Sequence, residues 1–393
     1  MNKSTMLPGI GRDRRLDVFR GLALLTIFIN HVPGNVFENF TSRNFGFSDA
    51  AEAFVLMSGI AVGLAYSRGF QAGEWSKAIL RVLRRAGTLY VAHIVTSVIA
   101  IAIIAFGVVY LNSDKIVPNV NFGVMLEKPL EAVIGLPVLG YQIGYFNILP
   151  LYCTLLIVSP LYIFIGIRSR TALIAFATAI WILAGTFRLN LPNYPIAGGW
   201  FFNPVSWQLL YAIGVAAGLA ALEKRKLVPF KPWLFGLSFA YLVFSMIWIQ
   251  MKMGALPLDR SLPFYLASFD KTFLSLPRLL HVLALAYVLT NLSIVSRLIA
   301  MPAFKPIELI GQHSLAVFAT GSVLSIALQV YRARFQTGVL EDGILLLSGI
   351  LVQYGLARFL AATSEKKRGK KAGAVEAGEP VIIGRMIEQP LSS

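Results

Sequence analysis

Charge is scarce in this chain of 393 residues: 14% is Asp, Glu, Lys or Arg, while 56% is hydrophobic. A soluble domain carries about 25% charged residues. The mean hydropathy of +0.69 therefore excludes an ordinary soluble protein and points to a polytopic membrane protein. Acidic residues are scarcer still, 19 against 35 Lys and Arg, for a net charge of +16. The basic residues sit mostly in alternate loops, which argues against a nucleic-acid partner. Cys153 is the single cysteine, so an intramolecular disulfide and a thiolate metal cage are excluded. The four histidines, His31, His93, His281 and His313, lack metal-ligand spacing, and no metal site is expected. There is no Walker loop, no GxGxxG and no GxSxG, and no internal repeat of the kind that builds inverted-repeat transporters.

What is present is apolar runs. A bilayer core needs about 20 residues of helix, and about ten candidates appear: roughly 16–33, 50–67, 87–111, 147–166, 171–188, 205–222, 233–251, 276–294, 313–331 and 341–362. The third is expected to begin near Ser76 as an amphipathic extension. Residues 1–36 lack a small-residue cleavage site and read as a retained first helix. Cytoplasmic loops carry the excess of Lys and Arg. With the N-terminus inside, Arg12, Arg14 and Arg15, then Arg68 to Arg85, Arg168 and Arg170, Lys224 to Lys231, Arg297 and Lys305, and Lys366 to Lys371 all fall inside. The expectation is an all-α bundle of ten transmembrane helices with both termini cytoplasmic. Residues 1–362 form the membrane domain, and 363–393 form a basic tail whose Gly, Lys and Glu content reads as disordered.

Some polar residues fit poorly in such a protein. The stretch "RRLDVFRGLALLTIFINHVPGN" (14–35) carries Asp17 and Arg20 at one end and His31 at the other. Asp17, Leu24 and His31 recur every seven residues on one helical face, with His31 about 20 Å above Asp17. Ionisable groups inside a membrane usually face an interior or a cavity. A helix cap, a snorkelling arginine and a core histidine would also account for the three. The next apolar run opens with Asp49 and Glu52, and antiparallel pairing brings Glu52 to the His31 side. Asp49 and Glu52 read as a capping pair. Glu52 also reads as the carboxylate that orients His31 and raises its basicity. Gly59 and Gly63 share the Glu52 face and permit close helix approach. In "SKAILRVLRR" (76–85), Lys77, Arg81, Arg84 and Arg85 form a basic face suited either to anionic lipid or to phosphate oxygens.

These blocks resemble a known superfamily. Arg14-x-x-Asp17-x-x-Arg20-Gly21 with His31, followed by Arg81-x-x-Arg84, is similar to the membrane-bound acyltransferases. "LDVFRGLALLTIFINHVPGN", "NFGFSDAAEAFVLMSG" and "GWFFNPVSWQLLYAIG" resemble the OpgC family more closely, and the resemblance spans all ten candidate helices. It implies a bacterial inner-membrane enzyme that succinylates periplasmic glucans. It implies acyl-CoA, with succinyl-CoA as donor, as co-substrate and no other cofactor. It also implies His31 as catalytic base, Arg81 and Arg84 as contacts to the CoA phosphates with Arg85 beside them, and Asp17 and Arg20 at the cytoplasmic end of the site.

Three further groups are candidate substrate contacts. Trp200, Asn203 and their aromatic neighbours suit a sugar, or else an ordinary interfacial belt. His281 with Arg278 suits an anionic acyl group. His93 and His313 read as structural. Direct attack and a covalent acyl-His31 intermediate are both open, as is a homo-oligomer. Competing readings are an O-acetyltransferase of another surface glycan, a transporter or flippase that forms no ester, and a membrane scaffold.

Overall fold

The computed structural model describes residues 13–254 and 262–376, with side-chain surroundings through residue 365. Arg12 and the side chains of Lys366 to Lys371, on which part of the topology reading leans, lie outside this part. The described residues form no strand beyond one isolated bridge between Pro192 and Gly199.

Each apolar run folds as a helix. These are α1 (Arg14–Asn30), α2 (Ala50–Gln71), α3 (Trp75–Leu111), α4 (Ile148–Arg168), α5 (Arg170–Thr186), α6 (Pro204–Leu222), α7 (Pro232–Gln250) and α8 (Leu276–Asn291). After α8 come the short α9 (Ser293–Ala300) and α10 (Lys305–Gln312), then α11 (Ser314–Arg334) and α12 (Val339–Glu376). Among the described residues, seven helices (α2, α3, α4, α6, α7, α11 and α12) are long and apolar enough to cross a bilayer singly. An eighth span results if α8 and α9, bent by 73° at their junction, are counted as one. The expected ten is therefore not reached on length and composition. Helices α1 and α5 have 17 residues each, about 25 Å of rise, short of the roughly 30 Å hydrocarbon core. Helix α3 starts at Trp75, where the amphipathic extension is expected. Helix α12 continues to Glu376, beyond the expected boundary at 362, and residues 377–393 of the expected tail lie outside the described residues.

Glycines decide two close crossings. Gly59 and Gly63 of α2 face Gly214 and Gly218 of α6. A Cβ on Gly59 would collide with the Tyr211 carbonyl, and one on Gly214 with the Leu56 carbonyl. Gly21 of α1 lies in the same way against the Ile307 carbonyl, and Gly311 against that of Asp17. Small residues let helix backbones approach where lipid offers no hydrophobic drive for association. Arg14 ties the start of α1 to α10 through Glu308 at 2.5 Å. Outer faces of α3, α7 and α12 expose large apolar side chains such as Val95, Trp233 and Leu351, the surface that lipid would cover.

Candidate active site

Helix α1 stops where Pro33 and Gly34 forbid its continuation; Gly34 has φ +83°. His31 is the C-cap residue, its N–H donating to the Ile27 carbonyl at 2.9 Å. Asn35 folds back to donate to the Ile29 and Val32 carbonyls. The carbonyl of His31 accepts from Gln329 Nε2 of α11 at 2.7 Å. The backbone is thus pinned on both sides. The imidazole lies flat on Tyr145, with ring centroids 4.5 Å apart and planes 11° apart. Among the described residues its two nitrogens take no hydrogen bond, and the ring faces a cavity of about 760 Å³.

That cavity is lined by five amide side chains: Asn30, Asn121, Gln142, Asn147 and Asn193. It also holds the aromatic rings of Phe201, Phe202 and Phe269, and the charged groups of Arg43, Asp49, Lys271 and Arg278. Asp49 is the N-cap of α2. Lys271 reaches its carboxylate at 2.5 Å and Arg278 at 3.5 Å. Burial by itself would raise the Asp49 pKa; the Lys271 ammonium and the Arg278 guanidinium outweigh it and hold the carboxyl below the usual range. Trp207 fixes the Lys271 backbone by donating to its carbonyl at 2.9 Å.

Glu52 is fully buried one turn into α2. One oxygen accepts from the Asp49 N–H at 2.9 Å, completing a capping box, and the other meets Arg278 at 2.5 Å. The expected pairing of His31 with Glu52 is not formed, and Glu52 does not line the cavity. The physical reason is the buried guanidinium arriving from α8. It offers a buried carboxylate more compensation than a neutral imidazole does.

A second, inner chamber of about 200 Å³ lies toward the other end of α1, lined by Arg20, Ser58, Tyr66, Arg85 and Tyr152 among apolar neighbours. Arg20 also pairs with Asp17 at 3.3 Å. Arg81, Arg84 and Arg85 on the basic face of α3 are all exposed, and of the three Arg85 also lines this chamber. The inner chamber and the outer cavity have Ile148 and Phe318 in common.

The remaining candidates are placed elsewhere. Trp200 is buried and does not line the cavity, although its neighbours Phe201 and Phe202 do. Asn203 caps α6 and donates to the Leu189 carbonyl at 2.7 Å. His281 is buried against Gly46, with Nδ1 2.7 Å from the Ser48 hydroxyl; it does not itself line the cavity but buttresses the 46–48 loop, which does. His93 is buried in α3, and His313 caps α10. The described residues hold no cluster of His, Cys, Asp and Glu suited to a metal.

Sequence reasoning missed Tyr145, Lys271 and the amide set. The segments that the sequence reading places outside are visibly rich in Asn and aromatics, and Lys271 falls in one of them, where the positive-inside rule would expect few lysines. Which of these residues converge is not written in their spacing.

One comparison bears on this geometry. The model of the family described as OpgC protein matches residues 12–365, nearly the whole chain. The chain belongs to the OpgC family. Membership makes it a multi-pass membrane transferase of the acyltransferase kind. No curated protein and no solved structure matches it.

Proposed function

We propose that this OpgC-family protein moves a succinyl group from cytoplasmic acyl-CoA to hydroxyl groups of a periplasmic glucan, at the inner membrane of a bacterium. In this reading the ten helical segments all span, both termini are cytoplasmic, residues 1–362 are the catalytic domain and the remainder is a tail. The observation that carries it is the pair of chambers on one helix. His31 faces a cavity rich in amides and aromatic rings, and Arg20 and Arg85 line a smaller chamber that shares a wall with it.

Amides and flat rings suit the hydroxyls and apolar faces of sugars. Guanidinium forks suit phosphate. The donor phosphates lie at the Arg85 end, with Arg81 and Arg84 contributing from the exposed face of α3. The pantetheine arm extends toward His31. Its imidazole accepts the proton of the attacking hydroxyl as the oxygen adds to the thioester carbonyl. The tetrahedral adduct collapses, the C–S bond breaks, and the thiolate takes the proton back from His31. Ester and free CoA result, with no net proton change on the enzyme. Asp49 and Glu52 act by holding Lys271 and Arg278 at the cavity wall.

The deciding experiment incubates the purified protein with succinyl-CoA and periplasmic glucan, and follows released thiol together with glucan mass. Thiol release matched by a mass gain supports the reading. The absence of acyl gain with succinyl-, acetyl- and other acyl-CoA donors removes it.

A further inference from the structure

The two chambers meet at one place. Their shared lining is Ile148, the first residue of α4, and Phe318, on the second turn of α11. Phe318 is buried, 6% exposed. Its ring is stacked with Phe54 of α2 at 6.4 Å, and Phe54 packs in turn on Tyr152 at 5.5 Å. Phe54 and Tyr152 line the inner chamber alone. Phe318 therefore stands as a partition, with the Arg20 and Arg85 side before it and the His31 side behind it.

We infer that Phe318 is the residue that screens the acyl group on its way to His31, turning aside to admit the thioester and closing the wall behind an empty inner chamber. The inference rests on the acyl-transfer reading above and adds to it a specificity-determining position. A thioester held at Arg85 by its phosphates has to cross the shared wall, because that is where the two cavities adjoin. An aromatic ring turns by rotation about its side-chain bonds, and the cavities on its two sides supply room for that turn. The partition has two consequences. The ring limits the width of acyl group that passes, since an apolar constriction discriminates by bulk. It also keeps water of the larger cavity from a thioester that has no acceptor. Water adding to that carbonyl would break the C–S bond and release a free acid and thiol, the side reaction that closed sites suppress.

Full-length protein in detergent, carrying Phe318→Ala, Phe318→Leu or Phe318→Trp, tests this with succinyl-CoA and the broader 2,2-dimethylsuccinyl-CoA, which carries the same charge. Phe318→Ala is expected to raise acceptor-independent thiol release by roughly tenfold and to narrow the preference for succinyl over 2,2-dimethylsuccinyl by a similar factor. Phe318→Trp is expected to slow transfer of both donors while direct binding of CoA stays at the wild-type level. Ile148→Ala, on the facing side of the wall, should reproduce the Phe318→Ala phenotype more weakly; with Phe318→Leu it keeps the test decisive if Phe318→Ala fails to fold. Folded variants that retain the wild-type donor preference and the wild-type ratio of hydrolysis to transfer overturn the screening role. A wild-type protein that forms no ester overturns the acyl-transfer reading itself, a different result from a different sample.

Discussion

His31 and Tyr145 lie ring on ring, 4.5 Å between centroids and 11° between planes. The stack restricts the imidazole's χ2 rotation, while the Gln329 bond to the His31 carbonyl restrains the backbone. Orientation here comes from a flat aromatic surface rather than from a carboxylate, so no acidic partner fixes the tautomer, and the ring nitrogen that carries no proton can accept one from a substrate hydroxyl.

Removing each member of the stack separates chemistry from orientation. His31→Ala is expected to lower kcat by about a hundred- to ten-thousandfold, the usual contribution of a general base, with donor binding retained. Tyr145→Ala gives up a contact of about 0.5–1.5 kcal/mol and is expected to cost roughly two- to tenfold in kcat. Tyr145→Phe keeps the stack and should stay near wild type. Steady-state rates with saturating acyl-CoA read all three. Full activity in His31→Ala would end its assignment as base.

The ion pair of Glu52 with Arg278 is buried on both sides, Glu52 completely. Arg278→Met leaves the Glu52 carboxylate uncompensated and is expected to cost about 3–5 kcal/mol of stability; Glu52→Gln costs less, because Asp49 still faces Arg278 at 3.5 Å. The double variant recovers much of that loss. Thermal unfolding in detergent measures the cycle; two single losses that add in the double variant would mean the pair is not coupled.

Acid dependence follows from Asp49. Its folded pKa is depressed, so the stability it contributes is fully present above the unfolded value, about 4, and is lost as pH falls through the lower folded value. Asp49→Asn should therefore unfold at a lower temperature than wild type throughout pH 5–8, with the gap closing well below pH 4. A gap that closes already near pH 5 would show that Lys271 and Arg278 do not hold this carboxylate.

Donor binding should depend on Arg85 more than on its neighbours, because Arg85 lines the inner chamber and Arg81 and Arg84 do not. Loss of a charge-assisted contact costs about 1.5–3 kcal/mol, roughly a ten- to hundredfold weaker Kd. Arg85→Ala should approach that range, Arg81→Ala and Arg84→Ala should fall below it, and Arg85→Lys should rescue poorly for want of the bidentate fork. Direct binding of acyl-CoA is the readout, since KM mixes several steps. Equal affinities in all variants return the basic face to a lipid-contact role.

Topology is checked by reporter fusions. Fusions at Lys224 and after Ser364 are expected to report cytoplasm, and one at Lys115 periplasm. A periplasmic signal after Ser364 would break the ten-span arrangement.

Composition and periodicity alone determined the all-helical class, the position of every apolar helix, the α3 extension, the capping pair at Asp49 and Glu52, and the place of His31 at the end of α1. Those features are local. An apolar run long enough for a helix, a Pro-Gly stop and an Asp-x-x-Glu start act within a turn or two of themselves. The glycines at 59 and 63 announced a close contact without naming its partner on α6. Tertiary structure decided the rest. It gave Glu52 to Arg278, 226 residues away, and gave His31 the ring of Tyr145. It turned Trp200, Asn203 and His281 away from the cavity that Phe201, Phe202 and Lys271 line. Which of two possible partners a buried carboxylate takes is settled by the charge that the folded chain delivers to it, and residues distant in sequence carry no periodic mark of that meeting. The bend between α8 and α9 is likewise an outcome of packing, whereas the 17-residue length of α1 follows from its local stop at Pro33 and Gly34. A short helix held between neighbours is stabilised by its contacts and needs no full bilayer-spanning length of apolar sequence.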